Sequence, residues 1–183
     1  MEDPTEEIQK HLHEEAHSHH DPSMMKIALS SAIIAVLAAI ASLLSEHQVN
    51  EALVAQLRAS DQWAYYQAKG IKHNVLEGEI AVLQAVGKVD EKKLKDLEAG
   101  VEKYKKDQDD ISKDASKEQE DSKKALSAHN TLSYSVTVLQ VAIGLSAVAA
   151  LTRRRWLWYS SMALAAGGFG LLAWGVAKAF LLG

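Results

Sequence analysis

The sequence predicts an all-α protein with three transmembrane helices and a long extramembrane antiparallel coiled-coil hairpin between the first two. Three observations predict this fold. Three uncharged apolar runs are each long enough to cross a bilayer. The segment between the first two runs is highly charged and carries an apolar repeat of 3.5 residues, which is typical of coiled coils. The only prolines are Pro4 and Pro22, so long helices are allowed from residue 23 onwards.

The first element is an acidic tail, residues 1–23, which contains five of the eight histidines. His13, His17 and His20 have the spacing of one helical face, and imidazole binds zinc, nickel, cobalt or copper. They are a candidate divalent-metal site, and a solvated tail with incidental histidines is the alternative. Residues 13–17 also match the H-E-x-x-H pattern of zinc peptidases, but no cleft-forming sequence accompanies them. We therefore expect no enzymatic activity and no other cofactor.

The three apolar runs predict transmembrane helices at residues 24–45, 131–151 and 156–179. An arginine-rich turn, residues 152–155, joins the last two. Short loops rich in Lys and Arg stay cytoplasmic, so this turn predicts a cytoplasmic N-terminus, with the hairpin and the C-terminus outside. The expected location is the bacterial inner membrane.

Residues 46–130 predict the hairpin, with a turn near residues 87–90. Gly87 suits a helix C-terminus and Asp90 suits the next N-cap. The predicted seam lies along two sets of residues in heptad steps, which are Val54, Leu57, Asp61, Ala64, Ala68, Ile71, Val75, Gly78, Val82, Ala85 and Val89 in the first arm, and Leu94, Leu97, Val101, Tyr104, Gln108, Ile111, Ala115, Glu118, Ser122, Ala125 and His129 in the second. Polar residues weaken this seam, so we expect neighbouring copies to bury the flank formed by Leu76, Ile80 and Leu83.

An aromatic cluster, Trp63, Tyr65 and Tyr66, falls inside the first arm. If the turn is centred near residue 88, Trp63 faces Asp114 and Ala115, where the second arm has small side chains. The cluster is therefore predicted to lock the hairpin or two subunits together, or to contact a protein partner, because large aromatics bury much area and fix a register. A ligand site is the remaining interpretation.

The stretch Trp63-Ala64-Tyr65-Tyr66-Gln67-Ala68-Lys69, with Ile71-Lys72 after it, follows the first apolar run. In this respect the sequence resembles a family of bacterial membrane proteins known only as a domain of unknown function, over about residues 25–180. The resemblance implies a three-span membrane protein with a coiled-coil insertion. It implies no activity and no site residues.

His47 and His129 are predicted to face each other where the arms meet the bilayer, as a second candidate metal or pH-sensing pair. The negative net charge of −4, without a strong basic patch, gives no indication of nucleic-acid binding. The absence of cysteine excludes disulfides. We expect a non-enzymatic structural or interaction module that self-associates in the lipid bilayer through its hairpin. The alternative is a metal- or pH-responsive channel or transport accessory protein.

Overall fold

The computed structural model describes residues 22–87 and 90–180, which form three α-helices without a strand among them. Helix α1 spans Pro22–Val86, α2 spans Glu91–Thr152 and α3 spans Arg155–Phe180. The prediction of an all-α protein is therefore confirmed. Each helix also contains a stretch long and apolar enough to cross a membrane, judged by length and composition.

The break between α1 and α2 follows from two residues. Gly87 has a φ of 70°, a left-handed conformation that glycine adopts without steric cost, and its amide donates to the Gln84 carbonyl. Asp90 then begins α2, because its Oδ1 accepts a hydrogen bond from the Lys92 amide at 3.0 Å. The sequence predicts a turn at this place.

The break between α2 and α3 is shorter. Arg153 has a φ of 53°, and the Leu157 amide donates to the Arg154 carbonyl at 3.2 Å, in the first turn of α3. Two residues therefore connect helices that the structure packs against each other.

The described chain divides into two compact units. The apolar unit contains residues 22–45 and 130–177, and the polar unit contains residues 46–129 with 178–180. Eight buried apolar side chains form the core of the apolar unit, namely Ile34, Ala38, Ala41, Leu132, Leu139, Ala142, Ala165 and Leu172. All three helices contribute to this core.

Glycines allow α3 to approach α2 closely inside the apolar unit. A Cβ on Gly168 would lie 2.8 Å from Leu139, and a Cβ on Gly175 would lie 2.7 Å from Leu132. Small residues at such crossings let helix backbones come together, as is common in membrane helix pairs. Apolar side chains on the other faces remain exposed, such as Leu29 and Leu43 on α1.

Serines join the helices of the apolar unit by hydrogen bonds. Ser135 donates to the Gly168 carbonyl at 2.8 Å, and Ser161 donates to the Ala142 carbonyl at 2.7 Å. Ser45 and Ser133 share a bond of 2.9 Å between α1 and α2. Hydroxyls that bond across a helix interface are a means of association for helices in an apolar environment.

The polar unit contains two helical segments, residues 46–86 of α1 and 91–129 of α2, that contact each other along their length. Ser122 donates to the Ala52 carbonyl at 2.9 Å, and Lys93 Nζ lies 2.9 Å from Glu79 Oε1. Between them, a Cβ on Gly100 would lie 2.7 Å from Leu76 Cδ1. Residues later in the first segment contact residues earlier in the second, so the two segments are antiparallel.

The register predicted for the second segment agrees with the structure, because its seam residues from Leu94 to His129 are buried or half-buried. The register predicted for the first segment is wrong. Five of its large seam residues are 46–66% exposed, and these are Val54, Leu57, Ile71, Val75 and Val82. Residues two positions earlier face α2 instead, including the buried Ala52 and Ala59. The expected outer flank of Leu76, Ile80 and Leu83 is half-buried.

The physical reason for this error is the geometry of a helix. Successive residues are rotated by about 100°, so a shift of two positions turns a stripe to nearly the opposite face. Both stripes have the same 3.5-residue repeat, and hydrophobicity alone favours the one that contains Leu57. The structure selects the stripe whose small and polar residues find matching neighbours on α2.

Candidate interhelical site around Lys69

The aromatic stretch of α1 lies opposite residues 104–108 of α2, and Lys69 joins the two. Lys69 Nζ is 2.6 Å from Asp107 Oδ2, with side chains that are 15% and 31% exposed respectively. The same ammonium lies 5.1 Å from the centre of the Tyr65 ring and 5.3 Å from that of Tyr104. We call these four residues the Lys69 cluster. A cation near two ring faces and one carboxylate is held from three directions.

The charges of the cluster stabilise one another. The hydrogen bond to Asp107 raises the pKa of Lys69 above its ordinary value. The same hydrogen bond lowers the pKa of Asp107 below its ordinary value. Both groups therefore stay charged at neutral pH, as an ion pair between helices. Such a pair is suited to holding two helices in register rather than to transferring a proton.

Gln108 and Gly70 extend the contact by one turn. Gln108 Nε2 donates a long hydrogen bond of 3.4 Å to the Tyr66 carbonyl. A Cβ on Gly70 would come within 2.8 Å of that same amide nitrogen, so glycine leaves room for the Gln108 side chain. Residues 66–70 and 104–108 therefore pack closely at this crossing.

The three predicted lock residues have different positions. Tyr65 takes part in the Lys69 cluster, although its side chain is 51% exposed. Tyr66 is half-buried at the crossing. Trp63 is 37% exposed and packs edge-on against Tyr66 of its own helix, with ring centres 5.5 Å apart. A role for Trp63 and Tyr65 in contacting a partner stays a prediction.

Sequence reasoning missed the residues at the centre of this crossing. The residue types alone give no indication that Lys69 and Asp107 meet, because most charged side chains lie on solvated surfaces. A signal was available in the spacing: Lys69 lies three residues after Tyr66 and four before His73, on the stripe that faces α2. A predicted seam placed two positions earlier on the first segment would include Lys69 among the residues that face α2.

The predicted metal sites stay predictions. His13, His17 and His20 lie outside the described residues. His47 Nε2 is 3.6 Å from Glu51 Oε1 of its own helix, and both side chains are exposed. In residues 22–87 and 90–180, no three or more His, Asp or Glu side chains are arranged to hold a metal. A site at His47 and His129 would need further ligands from outside these residues.

Comparison with known proteins gives one match. Residues 23–178 match the model of a family described as a domain of unknown function, DUF4337. The curated proteins and the solved structures each gave no match to this chain. The match covers both units, including the Lys69 cluster.

Proposed function

Since the chain belongs to the DUF4337 family, a domain of unknown function, we propose a role from its own residues: a non-enzymatic integral membrane protein that self-associates. Its polar unit forms a coiled-coil hairpin outside the bilayer, and the exposed face of α1 in that unit binds a second copy. The observation that carries the proposal is the exposed apolar stripe at heptad spacing. Hydrophobic surface of this length is typical of an interaction site.

Membrane insertion is supported by the composition of the apolar unit. The most apolar windows of α1, α2 and α3 have mean hydropathies of 2.5, 1.8 and 1.4, and no more than 28% of any window is buried. Side chains this apolar and this exposed suit a lipid environment. The arginines of residues 153–155 favour a cytoplasmic α2–α3 turn in a bacterial inner membrane, with the polar unit on the outside.

Single cysteines test this topology, because the chain has none of its own. Ala99→Cys in the polar unit is expected to react with a membrane-impermeant thiol reagent added to intact inner-membrane spheroplasts. Arg154→Cys in the turn is expected to react only after the membrane is permeabilised. The reverse labelling pattern would reject the orientation.

The coiled-coil proposal rests on the repeat of inward-facing positions. Inward-facing residues recur every seven positions. On the first segment they are Ala52, Ala59 and Tyr66, and on the second they are Ala115 and Ser122. A 3.5-residue repeat is the pattern of left-handed supercoils. Alanines face inward at residues 52, 55 and 59, so the two segments can lie close together there, and Leu76, Ile80 and Leu83 continue the same inward face towards the turn.

We call the outside set the outer stripe, which is Val54, Leu57, Ile71, Val75 and Val82. Fully burying a side chain of this size stabilises by about 1.5–3 kcal/mol relative to leaving it exposed. The intervening positions include Ala64, Ala68 and Gly78, and a Cβ on Gly78 would meet nothing within 4 Å. The stripe is therefore accessible to an approaching helix and has room for it.

A second copy is the occupant that fits best. In one bilayer every copy presents the outer stripe at the same height and in the same direction, which raises the effective concentration for pairing. In a parallel coiled coil, a residue that flanks the seam on one helix lies next to the residue five positions later on the other helix. These neighbours are Gln67 with Lys72 and Asn74 with Glu79, so no like charges meet there. Asp61 is the one charge within the seam and would face Asp61 of the second copy, a polar contact that costs stability and specifies register.

Charge insertion tests self-association. We expect the wild-type protein in neutral detergent to have the mass of an oligomer by light scattering, and Leu57→Glu or Ile71→Glu to reduce it to a monomer. Leu126→Glu is the matched control, because Leu126 is also an exposed apolar residue of the polar unit but lies on α2, outside the stripe. A monomeric wild type, or equal effects of all three changes, would reject the proposal.

A further inference from the structure

The apolar unit contains a cavity of about 360 Å³ between the start of α1 and the break that precedes α3. One part of its wall carries three basic side chains, Lys26, Arg153 and Arg155. The lining also includes Ile27 and the aromatic side chains of Trp158 and Tyr159. The volume is within the range of about 300–1,000 Å³ found for small-ligand pockets.

Among the described residues of the apolar unit, no carboxylate balances the positive charge of this cavity. Residues 22–45 and 130–177 contain no aspartate or glutamate, so the three bases have no carboxylate to pair with among these described residues. A cavity of about 430 Å³ in the polar unit differs, because it combines Arg58 with Glu118 and Asp121. Like charges gathered around one space repel each other, and a bound anion would relieve this repulsion.

The Trp158 indole in the wall of this cavity is held in place by a hydrogen bond to α1. Trp158 Nε1 on α3 donates to Ser30 Oγ on α1 at 3.1 Å, and Ser30 in turn donates to the Ile27 carbonyl at 2.9 Å. The indole is therefore tied to the start of α1. A fixed wall beside the bases needs little rearrangement on binding, which favours affinity.

We propose that this cavity binds the phosphodiester headgroup of an anionic phospholipid. Arginine forks and a lysine suit the phosphate oxygens. Ile27 and Trp158 suit the apolar carbons next to the headgroup, and Trp and Tyr are enriched at the level of lipid headgroups. Basic pockets between membrane helices on the cytoplasmic side are a known mode of binding such lipids.

This inference rests on the proposed membrane insertion, because the ligand reaches the cavity from the bilayer. A flotation assay distinguishes the lipid site from membrane insertion. It uses vesicles of phosphatidylcholine alone, so that it reports insertion without an anionic lipid. Protein that fails to float overturns both proposals. Protein that floats while showing no preference for anionic lipid overturns only the lipid site.

The test is native mass spectrometry of the full chain in neutral detergent, titrated with phosphatidylglycerol or phosphatidylcholine. We expect one phosphatidylglycerol per protomer to bind about tenfold more tightly than phosphatidylcholine. Arg155→Gln and Lys26→Gln should each weaken that binding about fivefold, the effect of one basic residue near an anionic surface. Lys26 lies on α1, so its variant remains informative if changes in the turn prevent folding.

Arg154→Gln is the matched control, because Arg154 belongs to the same turn and carries the same charge but does not line the cavity. We expect its phosphatidylglycerol affinity to stay within twofold of the wild type. Equal losses at Arg154 and Arg155 would indicate general surface charge and overturn the proposal.

Two further arms identify the occupant. Inorganic phosphate that binds as tightly as phosphatidylglycerol would overturn a lipid site in favour of a simple anion site. Deletion of residues 2–21 removes seven acids. If this deletion raises phosphatidylglycerol affinity tenfold or more, the acidic tail is the occupant and the proposal is overturned; unchanged affinity supports it.

Discussion

Lys69 Nζ lies 2.6 Å from Asp107 Oδ2, and this ion pair joins α1 to α2 near the middle of the polar unit. Two tyrosine rings, one from each helix, lie within 5.3 Å of the same ammonium. The pair is partly shielded from water, unlike the pair between Lys113 and Asp110, whose side chains are 76% and 65% exposed. Exposed pairs contribute little to stability.

Removing either charge of the Lys69–Asp107 pair should lower the thermal midpoint of the polar unit by a few degrees. Lys69→Met and Asp107→Asn should also be non-additive, because each variant already removes the shared hydrogen bond. Thermal unfolding followed by circular dichroism measures both effects. Lys113→Met serves as the control and is expected to leave the midpoint unchanged; additive losses at Lys69 and Asp107 would contradict the coupling.

The contribution of this pair should depend on pH at both extremes. The pKa of Asp107 is lowered in the folded protein, so its stabilisation is complete above about pH 4 and is lost as pH falls through the folded pKa. The pKa of Lys69 is raised, so its stabilisation is complete below about pH 10 and is lost as pH rises through the folded pKa. The difference in thermal midpoint between the wild type and Lys69→Met should be constant between these limits. A difference that changes between pH 6 and 8 would contradict this assignment.

Two adjacent glycines of α3 should respond differently to alanine. Gly168→Ala places a methyl group 2.8 Å from Leu139, and overpacking of this kind costs about 1–3 kcal/mol. A Cβ on Gly167 meets nothing within 4 Å, so Gly167→Ala gains helix propensity alone. Thermal unfolding in detergent should therefore rank Gly168→Ala below Gly167→Ala. The opposite order would show that α3 does not pack on α2 through this glycine.

Two adjacent serines of α3 offer a similar comparison. Ser161 donates across the helix interface to the Ala142 carbonyl, whereas Ser160 donates to the Trp156 carbonyl of its own helix. Ser161→Ala should lower stability by about 0.6 kcal/mol, the average for interhelical hydrogen bonds in a membrane protein. Ser160→Ala should leave it nearly unchanged. Denaturation in mixed detergent micelles measures the difference, and equal effects would contradict a structural role for the Ser161 bond.

The helical composition of the fold and the end of α1 could be predicted from local chemistry. Uncharged runs of spanning length indicate helices, and Gly87 and Asp90 are residues that end and begin helices for identified reasons. The register of the first segment could not be predicted, because Leu57 and Ala59 belong to stripes with the same repeat on opposite faces. Hydrophobicity favoured the stripe with Leu57. The contacts with α2 place Ala59 inside instead.

The candidate sites depend on residues that are distant in sequence. Lys69 and Asp107 are 38 positions apart, and their pairing follows only from the register of two helices. Lys26 and Arg155 line one cavity although most of the chain separates them. The sequence identifies the arginine turn as an orientation signal. That its side chains line a cavity with Lys26 of α1 follows only from the packing of the apolar unit.

Arg153 stands in a backbone conformation that glycine would adopt freely, whereas a residue with a Cβ loses about 1–2 kcal/mol there. Arg153→Gly should consequently give a chain that resists heat better while binding anions more weakly. Arg153 therefore lowers the stability of the fold while it supplies a guanidinium to the cavity. Sequence optimisation for stability alone would replace this arginine with glycine.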